Sequence, residues 1–258
     1  MLRYRKHQKR IGTRKLLEEM QSFLASHQFK IGRDALFNLL EEKGLLVKRR
    51  KRRGCITTFS RHRFKKYPNS IRAFIPTAPN QLWVSDITYI HLTGGCFAYL
   101  SLVTDAYSRK IVGFYLSSDL SAKGPLQALK MALKANPTCV GLIHHSDRGV
   151  QYCCDEYIKL LEKNSIKISM TENGDPLENA IAERVNGILK QELLQEVFSC
   201  FEAAQKEVAI AMSTYNHLRP HGSIDNMKPA YAHQKTGELK KRWKNYYALK
   251  KQKEVMMI

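Results

Sequence analysis

From residue 14 the apolar positions of the chain fall every third or fourth residue. Arg14 to Ser26 (RKLLEEMQSFLAS) sets Leu16, Leu17, Met20, Phe23 and Leu24 at helical spacing, and Arg33 to Lys43 repeats the pattern with Leu36, Leu39 and Leu40. The two segments predict a pair of short helices joined by His27 to Gly32, with Gly44 as the C-cap of the second. Such a pair is either a helix-turn-helix, whose second helix enters a DNA major groove, or an ordinary helical hairpin. Pro68, Pro76 and Pro79 then mark a linker over 67–81. Beyond it the pattern changes. Leu82 to Leu92 (LWVSDITYIHL) is rich in β-branched and aromatic residues and stops at Gly94-Gly95, a hairpin signal. Cys96 to Thr104 predicts the return strand and Ile111 to Leu116 a third. A helix with Pro125 at its first position follows to about Lys134, with Leu126, Leu129 and Leu133 on its buried stripe. Val140 to His144 reads as a strand, Asp155 to Lys163 as a helix, Ile166 to Met170 as a strand and Glu178 to about Gln195 as a longer helix. The order β-β-β-α-β-α-β-α predicts an α/β fold, a mixed sheet flanked by helices of the ribonuclease-H-like kind.

Charge divides the same chain into three. Of 258 residues, 43 are Lys or Arg and 23 Asp or Glu, a net charge of +20. Residues 1–72 carry +16, residues 73–232 carry −2 and residues 233–258 carry +6. A basic helical head (1–66), a near-neutral body (82–232) and a basic tail (233–258) therefore flank the linker. Six consecutive cations, Lys48, Arg49, Arg50, Lys51, Arg52 and Arg53, repel one another unless phosphate or solvent neutralises them, and this favours a nucleic-acid backbone as partner. In the tail Trp243, Tyr246 and Tyr247 stand among lysines, as in surfaces that stack bases and bind phosphate. No apolar run reaches the roughly 18 residues of a membrane span, and the start lacks the apolar segment of a secretion signal. The six cysteines form no C-x-x-C pair, which argues against a zinc knuckle and for reduced thiols in a cytoplasm.

Three acids interrupt the body where acids are costly or well placed. Asp86 lies in mid-strand among Trp83, Val84, Ile87 and Tyr89, Asp147 directly follows the fourth strand, and Glu183 sits on the last helix off its Ile181, Val185, Ile188 stripe, in line with Lys190. Singly, each is as well explained by a satisfied turn, a cap or a solvated helix face. Jointly, they supply the oxygen ligands that hard divalent ions require, and a pair of such ions roughly 3.5 to 4 Å apart clamps attacking and leaving oxygens in phosphoryl transfer. Glu172 and Glu178 are rival third acids. His144 and His145 are either proton shuttles or structural, His217 and His221 have zinc-like spacing broken by Pro220, and Asp105 reads as a structural cap.

The motifs Trp83-x-x-Asp86-Ile87-Thr88-Tyr89, Asp105-x-x-Ser108-Arg109-Lys110-Ile111-Val112-Gly113, His145-Ser146-Asp147-Arg148-Gly149-x-Gln151-Tyr152, Asn179-Ala180-x-x-Glu183 and Tyr215-Asn216-x-x-Arg219-Pro220-His221 occur in that order. Together they resemble the signature of DDE transposases of bacterial insertion sequences, in the retroviral-integrase-like group encoded by the second reading frame of IS-three-type elements. The 35 residues between Asp147 and Glu183, with Lys190 seven beyond, are similar to that group's pattern. Two departures are Glu178-Asn179-Ala180 where the group commonly has Asp-Asn-Ala, and Ala182-Glu183-Arg184-Val185 where Glu-Ser-Phe is commoner. The resemblance implies Asp86, Asp147 and Glu183 as holders of two Mg²⁺ ions, with Mn²⁺ able to substitute, and Lys190 beside the terminal phosphate. It implies hydrolysis at the element ends and strand transfer by the freed 3′-OH, on insertion-sequence and target DNA, by a homo-oligomer in the bacterial cytoplasm at the nucleoid. It also implies fusion to an upstream reading frame. The alternatives are an inert DNA-binding factor on the same scaffold, and an RNase-H-type nuclease that cleaves RNA–DNA hybrids without joining strands.

Overall fold

A computed structural model describes residues 1–48, 50, 62–137, 140–172 and 176–240. The head contains α1 (Leu2–His7), α2 (Thr13–Ser26) and α3 (Arg33–Glu42). Leu16, Met20 and Leu24 of α2 close on Leu36 and Leu40 of α3 over Ile11, forming a small core. Phe23, placed by its spacing with that stripe, is instead 46% exposed. Gly44 ends α3 at φ +63, which glycine adopts without steric cost. There the Leu45 amide donates to Leu40 O and the Gly44 amide to Glu41 O, a Schellman closure of the helix.

The body is one five-stranded mixed sheet. Its strands are β1 (Leu82–His91), β2 (Phe97–Asp105), β3 (Ile111–Ser117), β4 (Ile143–Ser146) and β5 (Lys167–Met170), in the spatial order β3-β2-β1-β4-β5. β1, β2 and β3 pair antiparallel, while β4 is parallel to both β1 and β5. The parallel pairings require crossover helices. α4 (Lys123–Ala135), the short α5 (Val150–Cys153) and α6 (Asp155–Lys163) cover one face, where Trp83, Val103 and Val112 meet Leu129, Ala132, Tyr157 and Leu161. α7 (Ala180–Ile188) and α8 (Phe201–His217) cover the other, where Ile90, Leu100 and Leu116 meet Val185, Ile188, Val208 and Tyr215. α9 (Pro229–Ala232) follows. Gly113 lets α4 lie directly on β3, since a Cβ there would stand 2.1 Å from Ala128 O.

The departures from the predicted elements have local causes. Pro125 is the third residue of α4, not the first, still within the turn whose amides have no helical acceptor. β4 starts later than expected, at Ile143, because its pairing begins opposite Leu82. The long helix expected over 178–195 is broken into a 3₁₀ turn (Pro176–Asn179), α7 and a π turn (Leu189–Leu193), in which the Leu194 amide reaches back to Leu189 O at 2.9 Å. α8 lies beyond the predicted elements. Its buried side mixes Ala204 and Ala211 with Val208, Met212, Thr214 and Tyr215. Between residues 67 and 80 there is no helix or strand, and this segment runs beside β5, where the Met170 amide donates to Pro68 O and the Ser70 amide to Ser169 Oγ. Arg49, Lys51, Arg52, Arg53 and the tail aromatics lie outside the described residues.

Candidate active site

Pairing of two parallel strands brings the first two acids together. Val84 of β1 is in register with His145 of β4; Asp86 lies two residues farther along β1, and Asp147 two residues farther along the chain, one past the end of β4. Asp86 shares with Val84 and Ile90 the face covered by α7. Its Oδ1 accepts from the Ile87 amide at 2.9 Å, and its Oδ2 accepts from Asn186 Nδ2 on α7 at 2.7 Å. Asp147, just past the end of β4, accepts the Gly149 amide at 2.9 Å through Oδ1. A Cβ on Gly149 would crowd that oxygen at 3.0 Å. Glu183 lies in the first turn of α7 and is exposed.

The electrostatics record the convergence. Desolvation and the nearby Asp147 charge push the Asp86 carboxyl up to about 7, with Glu183 adding to the repulsion against the two hydrogen bonds that favour ionisation. A carboxylate crowded by two others is relieved by a cation, and an all-oxygen donor set suits a hard one. Among the described residues no group of three or more His, Cys, Asp or Glu is arranged to hold a metal ion, so the three acids influence one another by charge without forming a ligand set here.

The other candidates are accounted for by protein partners. Glu172 is paired with Arg72 and accepts the Asn69 amide, while Glu178 accepts the Glu172 amide at 2.6 Å and faces Arg72 at 3.5 Å, so neither rival acid reaches the centre. His144 is fully buried between Ser85 Oγ (2.8 Å) and Tyr157 OH (2.9 Å). Burial lowers it to about 3 and lowers His145 to about 4, which keeps both neutral and structural. His221 is likewise buried and lowered to about 2, with Ser223 on its Nδ1. Asp105 is the cap its sequence suggests, accepting Ser108 N and Oγ on one oxygen and the Asn80 amide on the other. The Cys153 thiol is pushed by burial up to about 11, which leaves it unreactive.

Two helpers were not marked as functional by the sequence. Asn179 Nδ2 donates to Ser85 O at 3.1 Å and Asn186 to Asp86 itself, so α7 grips β1 on either side of Glu183. Their signal is a polar stripe, Asn179, Glu183, Asn186 and Lys190, at helical spacing between apolar positions. Of the cationic run, Lys48 is exposed. Arg50 is not directed to solvent: its Nη1 donates to Lys190 O (2.5 Å) and Leu194 O (2.7 Å), and its Nε meets Glu196 at 3.0 Å. These contacts join the head to the body. Lys190 is exposed, on the π turn.

A five-stranded mixed sheet of this order with helices on both faces is a ribonuclease-H-like fold. The fold is shared with a chain of the simian T-cell lymphotropic virus intasome (TM-score 0.53, 19% identity, 88% of this chain and 77% of that one). Residues 76–176 and 164–229 match two family models, each described as an integrase core domain. The chain is 37% identical to an uncharacterised 31 kDa protein of insertion element IS600 from Shigella sonnei, over 85% of this chain and 79% of that protein. It is 30% identical to the transposase of insertion sequence element IS904 from Lactococcus lactis, over 83% of this chain and 91% of that protein. The chain belongs to the insertion-sequence transposases, DDE-type enzymes with an integrase core.

Proposed function

We propose that Asp86, Asp147 and Glu183 are the catalytic centre of a divalent-metal-dependent transposase that cleaves insertion-sequence ends and joins them to target DNA. The observation that supports this reading is the parallel pairing of β1, which carries Asp86, with β4, which leads directly into Asp147, together with the raising of Asp86 by the Asp147 and Glu183 charges. The three acids would hold two Mg²⁺ ions, or Mn²⁺ in their place, and the bound ions supply charge neutralisation at the phosphate and activation of the attacking oxygen. In the first step water adds to the phosphorus at the element end as the P–O3′ bond breaks, leaving a 3′-OH and a 5′-phosphate. In the second, that 3′-OH forms the new P–O bond on the target strand and the target's own O3′ leaves. Each displaced oxygen takes up the proton lost by its nucleophile. No side chain becomes bonded to DNA.

Asn186 and the Ile87 amide orient Asp86, and Lys190 stands on the same helical stripe to meet the terminal phosphate. Lys48, Arg49, Lys51, Arg52 and Arg53 bind the DNA backbone, consistent with the concentration of positive charge in the head. The working species is a homo-oligomer on DNA, fused to an upstream frame and acting at the nucleoid in the cytoplasm. Among the described residues no helix is long and apolar enough to cross a membrane.

The test is Asp147→Asn, which loses both cleavage and joining of element-end duplexes while still shifting them in a gel. Retained activity would remove Asp147 from the centre.

A further inference from the structure

The helix that carries Glu183 does not end on itself. At its C-terminal end a helix leaves carbonyls without partners, and here the donors come from the head. Arg50 Nη1 donates to Lys190 O and Leu194 O, and Arg10 Nε donates to Gln191 O at 2.8 Å. Cations at this end also complement the helix dipole. Arg10 reaches Lys48 O as well, which ties the start of the head to the residues after α3. Between these backbone contacts projects Glu192. Lys15 Nζ of α2 meets its two oxygens at 2.7 and 2.9 Å, and Arg219, 3% exposed, meets the same oxygens with Nε at 2.8 Å and Nη2 at 3.0 Å. Four of the five positions from 190 to 194, Lys190, Gln191, Glu192 and Leu194, are thus held through backbone or side chain, mostly from the head. They lie in and just after the π turn, a rare form that marks local strain or function.

We propose that Lys15, Arg10 and Arg50 are positioning residues for strand transfer, which with Glu192 and Arg219 clamp the end of α7 and set where Lys190 stands relative to the three acids. The head then has two tasks, binding DNA through its exposed cations and completing the catalytic helix through its docked ones. This inference rests on the proposed chemistry of Asp86, Asp147 and Glu183.

Lys15→Met keeps the apolar stem and leaves the Arg219–Glu192 pair in place, so it tests the clamp gently. In the full chain with Mg²⁺ and element-end duplex, it is expected to lower the strand-transfer kcat by about tenfold, the cost of a small misplacement. KM for the duplex should stay within about twofold, and amide hydrogen exchange over 189–194 should speed up. Glu192→Gln combined with Lys15→Met should cost less than the two separate losses combined, because both act through one contact. Where Glu192→Gln does not fold, Lys15→Met alone decides.

Unchanged kcat and unchanged exchange overturn the proposal. So does a loss of duplex affinity that accounts for the lost rate, since Lys15 would then be a phosphate contact. A wild-type chain, assayed fused to its upstream frame, that is inert with both Mg²⁺ and Mn²⁺ and whose 189–194 amides still respond to Lys15→Met supports the clamp and overturns the chemistry assigned to the three acids. An inert chain whose amides do not respond overturns both.

Discussion

Asp86 illustrates how a single side chain is set by its neighbours. Two hydrogen bonds favour its charge and two carboxylates with desolvation oppose it, and the opposition prevails, at about 7. The Asn186 hydrogen bond is therefore what fixes an otherwise crowded group. Asn186→Ala is expected to slow single-turnover cleavage by about tenfold or more, the worth of a hydrogen bond to a charged group, with duplex affinity unchanged. Glu192 shows the opposite balance. Burial favours its neutral form, but the hydrogen bonds and charge of Arg219, then those of Lys15, hold its carboxyl down to about 2 against an ordinary 4.5. A carboxyl depressed in the folded state stabilises the fold above its unfolded value and loses that contribution as pH falls. Urea unfolding should thus show stability falling between about pH 4.5 and pH 2, and Glu192→Gln should flatten that part of the profile. Asp86, Asp147 and Glu183 could be named as candidates from the sequence only jointly, because each alone has an ordinary structural explanation while the three together supply oxygen ligands in the order of a known motif. Asn186 could not, because a helical Asn looks like a solvated one until β1 is packed beneath it.

At the scale of elements, α4 and α7 hold the sheet from opposite faces by different means. α4 depends on close approach: its Ala128 carbonyl stands where a Cβ on Gly113 would be. Gly113→Ala should destabilise the fold by about 3 kcal/mol, measured by chemical denaturation, because the obstacle is backbone and must shift as a unit. α7 depends on polar grips, Asn179 on Ser85 O and Asn186 on Asp86. Strand and helix periods gave most elements to within a few residues. The π turn was illegible, since nothing in the local sequence distinguishes Leu189–Leu193 from a continuing helix. Its carbonyls are directed outward by Arg10 and Arg50, which precede it by well over a hundred residues.

Across the whole molecule the positive charge is divided by task. Some head cations, Arg10, Lys15 and Arg50, are bound to the body, while others such as Lys48 are exposed. Replacing Lys51, Arg52 and Arg53 with Ala should weaken duplex binding and flatten the plot of log affinity against log salt by about 0.9 for each phosphate contact removed. Arg50→Ala should change that slope little and act on rate instead. Fluorescence titrations at several salt concentrations distinguish the two behaviours.

The chain's own pattern determined the α/β order, the basic head and tail, and which acids stand out, since periodicity, charge and motif spacing are local properties that need no partner. Tertiary structure decided the rest. It paired β1, which carries Asp86, with β4, which leads into Asp147, and it gave Glu172, Glu178 and His144 protein partners. It also joined head to body through Glu192. Each of these depends on the field and hydrogen-bonding groups of residues distant in sequence, which only the packed fold brings within reach.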